Sequence, residues 1–202
     1  MTNFLYKNDL PSDLKLGNSL AIDTETMGLV SSRDRLCVIQ ISSGDGNAHL
    51  VQFDKDNFAA PNLRKVLEDK NVLKIFHFAR FDVGIIKHSF NIDLKNIYCT
   101  KIASKLCRTY TDNHGLKVLA EELIKAELSK KQQSSDWGNQ EITKEQIKYA
   151  ASDVLYLHRI KEKLDIMLER EDRSDLAKKC FDFIETRANL DLKGFEFDIF
   201  RH

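Results

Sequence analysis

Residues 35–53 read RLCVIQISSGDGNAHLVQF. The first eight, Arg35 to Ser42, are mostly apolar, as expected of a central strand buried on both faces. Ser43-Gly44-Asp45-Gly46-Asn47 is a hairpin turn by composition. Ala48 to Phe53 is a second apolar strand, and upstream Leu20 to Glu25 is a third. Together these predict an antiparallel meander.

Working outward, Pro61 to Asp69 reads as a helix with proline in its first turn. Val72 to Phe76 is a strand, Ala79 to His88 a helix, Ile97-Tyr98 a short strand, and a further helix starts at Thr100. Strand and helix alternating after a meander predict an α/β fold: a mixed sheet covered by helices on both faces. From Asn113 the pattern is mainly helical, with one helix to about Leu128. A polar stretch, Ser129 to Glu141, follows; a loop of that length is often functional. Thr143-Lys144-Glu145-Gln146 has the capping-box spacing and predicts one long helix to about Glu169. Ser174 is expected to cap a last helix to about Asn189. The tail Phe195-Glu196-Phe197-Asp198-Ile199-Phe200 alternates apolar and acidic, so a short strand or extended segment docked by one apolar face is expected.

The chain has 202 residues, which fits one domain over 1–202, with 174–202 forming a C-terminal helix and tail. No run of about 18 apolar residues exists, so no membrane span or membrane partner is expected. The first residues lack the pattern of a signal peptide. Cys37, Cys99, Cys107 and Cys180 show no Cys-x-x-Cys spacing, which points to reduced thiols in a cytoplasmic protein and away from a cysteine zinc site. Lys plus Arg equals Asp plus Glu, 31 against 31. A polyanion would therefore be met through a local patch or through bound metal, in transient contact.

Asp23 and Glu25 are two apart at the end of an apolar strand, and alternate strand residues share a face. Two like charges so placed repel unless a cation lies between them. Asp82 lies just beyond another apolar strand, in His77-Phe78-Ala79-Arg80-Phe81-Asp82. Tyr149 and Asp153 are four apart on a predicted helix, on a face shared with Ile142, Gln146, Leu157 and Ile160. Convergence of Asp23, Glu25, Asp82 and Asp153 would give four hard oxygen ligands, the set that suits magnesium or manganese. Two divalent ions there could grip a phosphate for in-line displacement by water. Tyr149 would position that water.

The set resembles the DEDD 3′–5′ exonucleases that carry tyrosine in the third motif. Asp23-Thr24-Glu25 with Thr26, Gly28 and Leu29 is similar to the first motif, His77 to Asp82 to the second, and Tyr149-x-x-x-Asp153 to the third. Within that superfamily, RLCVIQI at 35–41, SSDW at 134–137 and YAASDVLYL at 149–157 resemble ribonuclease D. The resemblance covers residues 4–165. It implies a ribonuclease H-like fold and release of nucleoside 5′-monophosphates from single-stranded RNA 3′ ends. The extra helical RNA-binding domains of longer relatives have no counterpart in the roughly 40 residues after the third motif. Phe78 stands where several relatives have asparagine. The resemblance also implies substrate contacts by Thr24, Met27 and Leu29, with Leu29 wedged against terminal bases; packing under the loop is the other reading of Leu29. His77 is either a packed strand-end histidine or a substrate contact. Phe81 is placed to stack on a base or sugar. Lys101, Lys105 and Arg108 have helical spacing and form either a phosphate track or a solvated face. Trp137 is expected to anchor the polar loop. Two rival functions share these residues: a proofreading or repair DNA 3′–5′ exonuclease, and an inactive nucleic-acid-binding module.

Overall fold

The structure, a computed structural model, describes residues 2–55, 57–129, 131–132, 134–195 and 197–201. The meander is present. β2 (Ser19–Thr26) pairs antiparallel with β3 (Leu36–Ser42), and β3 pairs antiparallel with β4 (Asn47–Gln52). Gly44 and Gly46 in the connecting hairpin have φ of 79° and 86°, where glycine carries no Cβ penalty. Every residue of β3 is buried, as its apolar run requires. β5 (Leu73–Phe76) runs parallel to β2, and β6 (Ile97–Cys99) parallel to β5.

One strand was not expected. β1 (Thr2–Lys7) lies parallel to β4 at the sheet edge, giving the order β1-β4-β3-β2-β5-β6. Its residues are mostly exposed, so it carries no buried apolar run to announce it. The mixed sheet is flanked by helices.

α1 (Pro61–Glu68) and α2 (Ala79–Phe90) precede and follow β5. α3 (Thr100–Cys107) follows β6 directly. α4 (Leu116–Ile124) is shorter than expected, because Lys125 adopts a left-handed conformation and its N–H closes on Ala120. The capping box is formed: Gln146 N–H donates to Thr143 Oγ1 and Thr143 N–H to Gln146 Oε1.

The single long helix expected from there is two helices. α5 (Lys144–Leu155) and α6 (Leu157–Arg170) meet at Tyr156. α5 packs across β1 to β4, whereas α6 packs mainly on α3 and α4 and also meets α7 and β5, so the two halves serve different partners. α7 (Ser174–Leu192) packs on α2 and β6. Ser174 is its first residue, and the cap position is Arg173, without a side-chain cap bond.

The tail is not a strand, and its apolar face is not covered. Phe195, Phe197 and Phe200 are exposed; Arg187 donates to the carbonyls of Phe195 and Phe197, and the Phe200 ring lies 6.1 Å from Phe183. Glu196 of that tail, and Lys130 and Gln133 of the polar stretch, lie outside the described residues. Trp137 is buried and anchors the loop, 6.2 Å from the Tyr149 ring. The four cysteines are free. No helix among the described residues is long and apolar enough to cross a membrane.

Candidate active site

The end of β2 brings Asp23 and Glu25 to the floor of a cleft of about 640 Å³. α5 lies across β2, and the i,i+4 spacing turns Tyr149 and Asp153 into the same cleft. Carboxylate oxygens of Asp23, Glu25 and Asp153 all lie within 4.8 Å of one another. Asp82, in the first turn of α2, lines the cleft but lies outside that 4.8 Å set. Its Oδ1 instead accepts from Thr24 Oγ1 at 2.7 Å.

The electrostatics are those of crowded like charges. Burial first, then Asp82, Asp153 and Glu25, raise the Asp23 carboxyl well above the usual range. Burial, Asp153 and Asp82 push Glu25 up to about 9. Burial pushes Asp82 to about 7, against the hydrogen bond from Thr24. Burial also takes Asp153 to about 7, against a hydrogen bond from Tyr149. None of the ion pairs among the described residues includes any of these four acids. Burial, then Asp153, Glu25 and Asp23, raise the Tyr149 phenol far above its ordinary value, so it stays protonated and donates. A hard-oxygen donor set that makes no ion pair with a protein cation among the described residues fits a magnesium or manganese ion.

The walls are set by local bonds. Thr26 Oγ1 donates to the Gly28 carbonyl at 2.5 Å, and Val30 N–H to Asp34 Oδ2 at 2.9 Å. A Cβ at Gly28 would come within 2.2 Å of Asp34 Oδ2 and displace the carboxylate that accepts from Val30 N–H. The loop so held leaves Leu29 87% exposed and Met27 53% exposed at the cleft edge, which excludes packing of Leu29 under the loop. His77 and Phe81 also line the cleft. His77 Nδ1 pairs with Thr100 Oγ1 at 2.9 Å, and burial, with Lys101 nearby, pushes its pKa down to about 3, so the ring is neutral. Phe78 caps α2 with φ of 70° and is 46% exposed, with Lys101 Nζ 4.3 Å from its ring centroid.

The structure removes Arg108 from the basic track. Arg108 is fully buried, donates to Ser104 Oγ and the Asn113 carbonyl, and pairs with Glu122. Lys101 lines the cleft, whereas Lys105 lines a separate hollow between α3 and α7. Sequence reasoning passed over Gln40, a buried amide on β3 that donates to Asp23 Oδ2 at 2.9 Å. A single polar side chain amid the apolar run Cys37 to Ile41 was the available signal.

Comparison with known proteins gives a concordant result. Residues 6–169 match a family model described as 3′-5′ exonuclease. The chain is 50% identical to Brucella melitensis NrnC with bound Mg2+, with a TM-score of 0.95 over 100% of each chain. Brucella melitensis NrnC bound to pGG is 51% identical, with a TM-score of 0.96 over 100% of this chain and 99% of that one. Ribonuclease D of Nitrobacter hamburgensis is 28% identical over 84% of this chain and 46% of its own length. The chain thus spans less than half of that curated relative.

Proposed function

This chain belongs to the 3′–5′ exonuclease family, and on that premise we propose that it is a metal-dependent exoribonuclease that releases nucleoside 5′-monophosphates from RNA 3′ ends. The observation that carries the reading is the meeting of Asp23, Glu25 and Asp153 within 4.8 Å, in a cleft that Tyr149 also lines. Asp23, Glu25, Asp82 and Asp153 would hold two divalent ions, magnesium or manganese. When bound, such ions neutralise the scissile phosphate and make water a stronger nucleophile.

The remaining work falls to the chain's own groups. Tyr149, kept protonated, orients the attacking water rather than removing its proton. Thr24 fixes Asp82. Leu29 and Met27 form an apolar edge against the terminal base, and Phe81 stacks on base or sugar. Neutral His77 offers a hydrogen bond to the ribose without adding charge. The ribonuclease D name of a relative supports RNA, and the relative bound to pGG supports a short oligonucleotide as the first substrate to try. We take residues 1–202 as one exonuclease domain acting in the cytoplasm, a compartment in keeping with four free cysteines.

The test is a digest of 5′-labelled single-stranded RNA, and of pGG, with magnesium, manganese or chelator. The expected result is metal-dependent shortening from the 3′ end. A matched DNA oligonucleotide degraded faster than the RNA would transfer the assignment to a DNA exonuclease. No cleavage of any substrate with either metal would point to a binding module.

A further inference from the structure

We propose that Gln40 is a positioning residue: its side-chain amide holds Asp23 by one oxygen and leaves the other free to turn, with Glu25 and Asp153, toward a shared divalent cation. The inference rests on the exonuclease reading above.

Gln40 sits directly opposite Asp23 in the β2–β3 ladder, so the two side chains share one face of the sheet. It is fully buried. Its Nε2 donates to Asp23 Oδ2 at 2.9 Å. In the metal-holding form of the site the acids are ionised and only accept, so there the amide must present its nitrogen to them. That orientation leaves Oε1 buried with no partner.

A buried carbonyl without a donor is destabilising, and an apolar side chain of similar size would avoid the penalty. Gln40 lies between Ile39 and Ile41 in an otherwise apolar strand, where core packing alone would favour such a replacement. What the amide supplies is direction without charge. Lysine or arginine at this position would also hold Asp23, but would neutralise it and compete with a metal ion. A neutral donor fixes one oxygen of Asp23 and brings no positive charge to compete with the cation. The oxygens of Asp23, Glu25 and Asp153 that lie within 4.8 Å of one another are then ready to share a cation. Partners that orient metal ligands from behind in this way commonly set metal affinity.

The test uses the full chain stripped of metal, with Gln40→Leu, and with Gln40→Met as an unbranched alternative of equal reach. Mn2+ binding is measured by titration calorimetry, and pGG hydrolysis is measured against metal concentration. The expected result is a roughly 10- to 100-fold weaker Mn2+ affinity, and a matching rise in the metal concentration needed for half-maximal rate. The KM for pGG at saturating metal stays within about twofold, and the melting temperature of the metal-free variant is equal to or above that of the native chain. Mn2+ affinity within about twofold of the native value in a folded variant overturns the inference and leaves the exonuclease reading standing. A native chain that neither binds Mn2+ nor cleaves pGG overturns both.

Discussion

Asp23 and Asp191 are both held among packed elements, in opposite company. Asp191, on α7, receives both nitrogens of Arg80 at 2.6 Å and Arg187 at 2.5 Å. Burial would raise its carboxyl, but the hydrogen bonds from Arg80 and Arg187 outweigh that and hold it below the usual value. Asp23 faces Asp82, Asp153 and Glu25, and a neutral amide is its one hydrogen-bonding side-chain partner among the described residues. The first arrangement ties α2 to α7. The second is electrostatically incomplete, and its completion comes from outside the chain. The difference separates a charge cluster that serves the fold from one that serves a ligand.

Substitution at the two aspartates should therefore act in opposite directions. Asp23→Asn removes a cation ligand and should lower kcat by at least about 10³-fold, while relieving repulsion and raising the melting temperature of the metal-free protein by about 2–4 °C. Steady-state kinetics and a thermal melt of the same preparation check both halves. Tyr149→Phe keeps the acids and removes the donor, so kcat should fall by about 10²-fold with Mn2+ affinity preserved. An equal loss of Mn2+ affinity would make Tyr149 a support for Asp153 instead. Asp191→Asn should destabilise by about 2 kcal/mol, read as a lower midpoint in urea, with turnover per folded molecule retained. A stability unchanged by that substitution would erase the contrast on which the comparison depends.

The two clusters should also respond to pH with opposite sign. Asp82 and Asp153, at about 7, and Glu25, at about 9, bind protons more tightly folded than unfolded. Their contribution to stability is fully present below the unfolded value of about 4 and is lost as pH rises through the folded values. The metal-free protein should melt lower at about pH 8 than at about pH 5, by a few degrees. Asp191 works the other way, adding stability above about pH 4 that is lost as pH falls through its lowered value. In the Asp191→Asn variant the fall in stability at acid pH should be smaller, which melts across the acid range would register.

The parts of this molecule that could be read from sequence are those whose signals are local. The β2–β3–β4 meander follows from apolar runs and a glycine turn, and the five proposed catalytic residues from their motifs and spacing. β1 escaped because its pairing with β4 is long-range and its residues are mostly exposed. The division at Tyr156 escaped because neither glycine nor proline marks it; it separates a helix laid across β1 to β4 from one packed mainly on α3 and α4. Arg108 was misread because helical spacing cannot tell an exposed cation from one buried against Glu122 and the Asn113 carbonyl. Gln40 was visible as a letter, but its meaning depends on strand register, which puts it opposite Asp23.

The central claim is that the acidic cleft holds protons in place of a divalent cation. Calorimetric titration of Mn2+ into the metal-free chain at about pH 7, in two buffers of different ionisation heat, tests it directly, because metal binding to protonated ligands must release protons. The account predicts saturable binding with release of about one to two protons per chain, and loss of that binding in Asp23→Asn. Saturable binding with no proton release, or binding undiminished in Asp23→Asn, would contradict it.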